Sequence, residues 1–403
     1  MKKTIAFAAL ATALMGGTAF AQDKNVKIGV MTDMAGLYSD VSGAGSVLAV
    51  QMAVEDSGLR QKGWTIEVIS ADHQNKPDIA TSLARQWADV EKVDLYTDVV
   101  TSSTALAVNP VAIDKNKVHL NSGAATSALS GKACNANTIH WTYDTYALAN
   151  GTGKAVTKAG GDSWYFLTAD YAFGAALEAD TTAVVTKNGG KVLGAVKHPL
   201  NSSDFSSYLL QAQASKAKII GLANAGGDTS NAVKQASEFG IVAGGQKLAS
   251  LLLFITDVHS LGLKVANGLQ MTETFYWDLN DGTRSFSKRF SERSKNNAKP
   301  SMVQAGDYSS TIHYLKTLEA MGGNPHDGLK VVAKMKELPT DDIIFGKGSI
   351  RADGRKIHPA YLFEVKKPEE SKGPWDYYKL ISTIPAEEAF RPLSESECPL
   401  VKK

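Results

Sequence analysis

The chain has 403 residues, 43% hydrophobic and 21% charged, an ordinary globular composition with enough chain for two cores, which excludes disordered and collagen-like classes. Its formal net charge is +2, with basic and acidic residues interleaved along the chain. That excludes the one-sided basic patch of a nucleic-acid binder.

The first residues are of another kind: Lys2 and Lys3, an apolar stretch over 5–15, then Ala19-Phe20-Ala21 before Gln22. This is the pattern of a secretory signal peptide, with cleavage expected after Ala21. Its apolar core is too short to span a bilayer, and no later run approaches roughly 18 apolar residues, so a soluble exported protein is expected. A lipoprotein would need cysteine where Gln22 stands, so the reading is a freely diffusing protein, periplasmic in a Gram-negative cell. Loss of Lys2 and Lys3 leaves 41 basic against 41 acidic residues. Cys134 and Cys398 are the two cysteines; in an oxidising compartment pairing is the default, with two buried free thiols as the alternative.

From residue 26 the pattern is apolar strand, turn, helix, repeated. Residues 26–31 (VKIGVM) predict a strand, 46–56 a helix, 64–70 a second strand, and 79–90 a helix with Pro77 in its first turn. A third strand over 93–100 ends in Thr101-Ser102-Ser103-Thr104, and a helix follows to about 115. Residues 118–120 form a short strand that runs into Asn121-Ser122-Gly123-Ala124-Ala125-Thr126-Ser127. The rhythm restarts with strands at 163–167, 191–196 and 218–222 and helices at 173–187, 205–215 and 231–239. Strands alternating with helices predict parallel, doubly wound sheets and therefore an α/β fold of two Rossmann-like lobes. The junction is expected near 141–146. After 269 there is too little for a third domain: a strand-like MTETFYW, helices at 285–293 and 307–321, and a hairpin-like stretch at 348–367. These pieces are expected to complete the lobes, giving 22–143 with 274–357 as one lobe, 144–273 with 358–390 as the other, and 391–403 as a tail tied to the first.

No nucleophile elbow, H-E-x-x-H, C-x-x-C or phosphate loop is present. The eight histidines include no i, i+4 pair, so neither metal nor cofactor is expected. Two strand ends carrying small hydroxyl residues remain. Open α/β sheets bind ligands outside the carboxyl ends of their strands, where a helix N-terminus offers unpaired N–H groups to an anion. Thr101, Ser102, Ser103, Ala124, Ala125 and Thr126 are thus candidates to hold a carboxylate; simple helix capping by Ser102, Ser103 or Ser127 is the plainer reading and is compatible with it. Facing them are Tyr38, Tyr171 and Phe173, and Asn224 to Asp228 after another strand.

With these residues in view, the chain resembles the periplasmic substrate-binding proteins of the branched-chain amino-acid type, receptors of ATP-driven importers. The resemblance rests on Gly36-Leu37-Tyr38, the Thr-Ser-Ser-Thr run, the Ser-Gly-Ala-Ala-Thr run, Asp170-Tyr171-Ala172-Phe173-Gly174 and the glycine turn at 226, and covers nearly all of the mature chain. It implies the type I periplasmic binding protein fold, two lobes joined by hinge strands around a ligand cleft, a monomeric receptor without enzymatic activity, and an inner-membrane permease as partner. It implies carboxylate contacts at Thr101, Ser102, Ala124 and Thr126, a covering aromatic at Tyr38, and at Phe173 a position commonly tyrosine. The family's acid for the ligand ammonium falls in the stretch 251–256, which here reads LLLFIT, and only Asp228 stands near as a substitute. An ammonium buried without partners is costly. A small apolar or aromatic carboxylate, resting on Tyr38, Tyr171, Phe173 and Phe254, therefore fits better than a free amino acid. A sensor lobe for signalling and an exported hydrolase using Ser102 or Ser103 are the competing classes.

Overall fold

A computed structural model describes residues 23–402; the segment read as a signal peptide, and its cleavage after Ala21, lie outside them. Two parallel sheets organise the molecule. The first has the order β2-β1-β3-β4-β5, built from β1 (Asn25–Thr32), β2 (Thr65–Asp72), β3 (Leu95–Asp98), β4 (Val118–Asn121) and β5 (Thr138–His140). The second has the order β7-β6-β8-β9, from β6 (Ser163–Ala169), β7 (Lys191–His198), β8 (Ile219–Ala223) and β9 (Lys247–Ser250). A central parallel strand is covered on both faces and so must be apolar or internally satisfied along its whole length. Every residue of β3, β4 and β8 is buried. The two sheets and their helices make up the α/β fold in two halves that the sequence predicts.

The rest of the chain is shared between the halves. Helix Met302–Met321, buried along nearly all its length, packs on helix Gly43–Ser57 of the first half. Its start is a capping box: Ser301 Oγ accepts from the Gln304 N–H at 3.2 Å, and Gln304 Oε1 accepts from the Ser301 N–H at 3.0 Å. Strand β10 (Gln270–Glu273) pairs antiparallel with β14 (Ala360–Val365), and β14 with β15 (Tyr378–Ile384). The small antiparallel sheet of β11 (Thr340–Asp342), β12 (Gly346–Ile350) and β13 (Lys356–Ile357) leads back to the first sheet, because Arg355 forms a parallel bridge with His140 at the end of β5.

The predicted elements fall within a few residues of the observed ones; strands β5, β9, β11 and β15, helices Ile255–Leu261 and Gly328–Glu337, and several helices of four or five residues are among those absent from the sequence reading. Strands of three or four residues are too short to display a period, and β15 is exposed over most of its length. Among the described residues no helix is long and apolar enough to cross a membrane.

Cys134 and Cys398 are bonded, their Cα atoms 5.6 Å apart across a sequence separation of 264. The tail thereby reaches the first half, while Arg391 pairs with Asp180 of the second at 2.7 Å. Chain-entropy reasoning assigns a loop of this length about 5 kcal/mol, but the tail can detach without opening either sheet, so Cys134→Ser is expected to cost only about 2 kcal/mol. Non-reducing peptide mapping of the mature protein should yield the Cys134–Cys398 cross-linked peptide; two thiols that label without reductant would refute the bond.

Candidate functional site

A cavity between the two sheets is lined by Tyr38, Val41, Val100, Ser102, Gly123, Ala125, Tyr143, Tyr171, Phe173, Ala225, Leu252 and Phe254. Each of these residues follows the carboxyl end of a parallel strand, β1, β3, β4 and β5 from one side and β6, β8 and β9 from the other. This is where side chains from successive crossovers converge in open α/β sheets.

On the first side, Asp33 at the end of β1 accepts from the N–H groups of Gly36 at 2.7 Å and Tyr38 at 2.9 Å and from Asn75 Nδ2 at 2.6 Å. Its carboxylate thus fixes the loop that presents Tyr38. At the end of β3, Asp98 and Val99 have φ of 70° and 46°, an unusual conformation for a β-branched residue, which turns the chain sharply into the hydroxyl run. Thr101 is the N-cap of helix Ser102–Asp114 but its side chain makes no capping bond; Thr101 Oγ1 pairs with Thr104 Oγ1 at 2.7 Å instead. The first-turn N–H groups therefore have no side-chain cap, and they carry the positive end of the helix dipole to the cavity wall at Ser102. Ser102 Oγ accepts from the Thr126 N–H at 3.1 Å, tying the two hydroxyl loops together. Tyr143 donates to the Gly123 carbonyl at 2.7 Å and meets Phe254 edge to face at 6.5 Å.

On the second side, Tyr171 and Phe173 lie 5.8 Å apart by ring centroid. Tyr38 Oη and Tyr171 Oη are hydrogen-bonded at 2.8 Å, joining the two rims. Gly226, with φ 58°, brings the turn after β8 against the Leu37 carbonyl, where a Cβ would stand at 3.0 Å. A side chain here would meet both the strained backbone and the opposing loop.

Of the twelve predicted site residues, Tyr38, Ser102, Ala125, Tyr171, Phe173 and Phe254 line the cavity; Thr101, Ser103, Ala124, Thr126, Asn224 and Asp228 do not. The Ala124 carbonyl accepts from His140 Nε2 at 2.8 Å, and Thr126 caps the turn Ser127–Leu129. Asn224 donates to His198 Nε2 at 3.1 Å and accepts from Thr229 at 2.7 Å. Asp228 accepts from the N–H groups of Asn201 at 3.1 Å and Ser202 at 2.8 Å, and burial pushes its carboxyl up to about 6. Tyr143, which the sequence marked only as part of the interlobe junction, is a wall residue, as are Val41, Val100, Gly123, Ala225 and Leu252.

Among the described residues no aspartate, glutamate, lysine, arginine or histidine side chain lines the cavity. Burial raises the hydroxyls of Tyr38, Tyr143 and Tyr171 further above their ordinary range, so they stay neutral hydrogen-bonding groups. The free volume is about 10 Å³, the space of a single water. A ligand can enter only if the two rims part. Ser102 has no hydrogen bond to a base among the described residues; its Oγ is engaged by Thr126.

Two parallel α/β halves that close their strand ends on a largely apolar cavity define a two-lobed solute-binding protein. The family model described as Periplasmic binding protein matches residues 25–373, and the chain belongs to that family. A periplasmic binding protein from Burkholderia mallei is 53% identical, with a TM-score of 0.91 over 94% of this chain and 100% of that one. The periplasmic ligand-binding protein of a branched-chain amino-acid ABC transporter from Burkholderia xenovorans LB400 is 40% identical, with a TM-score of 0.83 over 94% of this chain and 100% of that one. The curated relative Leu/Ile/Val-binding protein homolog 6 of Brucella abortus (strain 2308) is 25% identical over 378 residues, 91% of this chain and 94% of its own. The protein is a periplasmic solute-binding receptor of an ABC transporter and not an enzyme.

Proposed function

We propose that the cleft receives a small carboxylate with an aromatic or apolar body, not a free amino acid, and that the receptor hands it to an inner-membrane permease. The carrying observation is that among the described residues no acidic side chain lines the cavity, and that Asp228, the acid expected from the sequence to meet an ammonium, holds the turn at Asn201 and Ser202 instead. Burying an ammonium against Leu252, Phe173 and Phe254 without a partner would cost several kcal/mol. The ligand's carboxylate sits on the uncapped first turn at Ser102 and beside Ala125, with Thr101, Ser103, Ala124 and Thr126 supporting that wall from behind. Its ring or chain rests on Tyr38, Tyr171, Phe173 and Phe254. Solute-binding proteins of this fold from Rhodopseudomonas palustris, 22% and 18% identical with TM-scores of 0.81, are complexes with 4-hydroxybenzoate and benzoate.

The lobes are 22–143 with 274–357 and 144–273 with 358–390, the receptor works as a monomer, and binding closes one lobe on the other about the crossings near Tyr143, Thr274 and His358. Calorimetry with benzoate, benzamide and leucine tests the reading. Benzoate should bind, and benzamide should bind at least tenfold more weakly, because charge-assisted bonds to N–H and hydroxyl donors contribute roughly 1.5 to 3 kcal/mol each. Equal affinity for acid and amide, or preference for leucine, would sink it.

A further inference from the structure

Directly behind the wall that receives the carboxylate lie two buried acids, Asp98 at the end of β3 and Asp307 in helix Met302–Met321, both 0% exposed. Asp98 packs against the back of Gly123, a wall residue: a Cβ on that glycine would stand 2.7 Å from Asp98 Oδ1. Neither Asp98 oxygen has a directed hydrogen-bond partner, nor does Asp307 Oδ2, and the neighbouring Ser46 Oγ and Asn121 Oδ1 are also unpartnered and buried. Ser46, on helix Gly43–Ser57, lies beside both carboxyls, with Thr32 also beside Asp98 and Thr97 and Ser122 beside Asp307. Asp33, from the end of β1, is the charged neighbour that bears on Asp98 together with Asp307 itself, and Asp98 in turn bears on the Tyr143 hydroxyl. No lysine, arginine or histidine contacts either carboxyl among the described residues.

Two buried carboxylates without a cation, next to Asp33 and a bound anion, cannot all be ionised. A hydroxyl between two carboxyls can donate to only one of them; it satisfies both only if the other carries a proton to give back. We infer that Asp98 is part of the ligand site as a neutral carboxylic acid: the receptor binds its anionic ligand together with a proton held by the Asp98–Asp307 pair, so that affinity falls as the medium becomes alkaline. This rests on the carboxylate reading above. Burial pushes Asp98 up to about 7, and burial together with the neighbouring Asp98 raises Asp307 well above the usual carboxylate range, which places the change near neutrality. The sign follows: below that pH Asp98 is already protonated and affinity is level; above it each binding event must take up a proton, and affinity drops toward tenfold per pH unit. The left-handed backbone at Asp98 and Val99, which sets Val100 and Ser102 in the wall, is the kind of local strain that collects at working sites.

The test is calorimetry of benzoate binding between pH 6 and 9, in two buffers of different ionisation enthalpy. Wild type should show net uptake approaching one proton at pH 8 and an affinity declining with pH; Asp98→Asn should show neither. A wild-type affinity flat with pH, or a slope unchanged in Asp98→Asn, overturns the inference. So does an affinity set by added sodium or calcium at fixed pH, which would mean that a cation neutralises the pair. A second measurement needs no ligand: because the folded state holds the proton more tightly than the unfolded chain, the Tm of wild type should fall relative to Asp98→Asn as pH rises from 5 to 8. If Asp98→Asn does not fold, Asp307→Asn serves the same comparison. A Tm difference independent of pH overturns the inference, whereas the expected Tm behaviour without benzoate binding at any pH sinks the ligand reading and leaves the buried proton standing.

Discussion

Arg355→Met is expected to lower stability by about 3 to 5 kcal/mol, the cost of breaking a buried ion pair from one side. Arg355 is completely buried; it donates to the Tyr143 carbonyl at 2.9 Å and the Trp141 carbonyl at 3.0 Å, and its Nη1 lies 3.7 Å from Asp144. These are the residues by which the chain leaves β5 for the second half, so one guanidinium satisfies backbone acceptors that no sheet serves. Burial pulls the guanidinium down to about 10, still charged at neutral pH, and raises the Asp144 carboxyl, with Arg355 working against that rise. Methionine fills much of the volume but leaves the Tyr143 carbonyl without a donor, the Trp141 carbonyl with only the His358 Nε2 contact at 3.3 Å, and the Asp144 carboxylate without its cation. Urea denaturation followed by fluorescence measures the loss, and Asp144→Asn added to Arg355→Met should recover part of it by removing the stranded charge. A loss below about 1 kcal/mol would mean that water reaches the crossing and the pair is not sealed.

Gly123→Ala should weaken benzoate binding by at least tenfold, about 1.4 kcal/mol, and destabilise the fold by about 1 to 3 kcal/mol. The added Cβ would meet the Val100 Cα at 2.6 Å and Asp98 Oδ1 at 2.7 Å. The first is backbone already held in a strained turn, and the second is a carboxyl that cannot swing into solvent. Relief requires the two hydroxyl loops to separate, which breaks the Ser102–Thr126 bond and widens the cavity wall at Ser102. The effect differs from that of Gly226→Ala, which strains the opposite lobe and blocks its contact with Leu37. Calorimetry and thermal unfolding of Gly123→Ala separate affinity from stability; an alanine variant with wild-type affinity would show that the wall tolerates a methyl group and is less tightly built than its geometry indicates.

The alternation of apolar strand, small-residue turn and helix was legible in the sequence because each central parallel strand is buried on both faces and cannot hide that in its composition. The same physics marked the strand ends that meet at the cavity: a turn at a strand's carboxyl end must let backbone approach backbone, and Ser102, Gly123, Ala125 and Gly226 are small there. The loops were therefore located, and so were the aromatics that follow them, Tyr38, Tyr171 and Phe173. Which member of each loop faces the cavity was not legible. Successive residues at a strand end or helix start point in different directions, so Ser102 and Ala125 line the wall while Ser103 and Ala124 do not, and Asp228, chemically apt, is turned to its own lobe.

The class of fold, the two-lobed plan and the strand ends that meet at the cavity follow from local periodicity and from the hydrophobicity each buried strand must have, both of which are written in the order of residues. Only packing brings distant segments together: Tyr38 against Tyr171, Arg355 against the backbone at Trp141 and Tyr143, and Asp307 within electrostatic reach of Asp98. An aspartate carries no mark of its burial. Whether it is a solvated surface charge or a proton-bearing acid behind a binding wall depends on what the rest of the chain packs around it, and that environment is created only when helix Met302–Met321 closes over the ends of β1, β3 and β4.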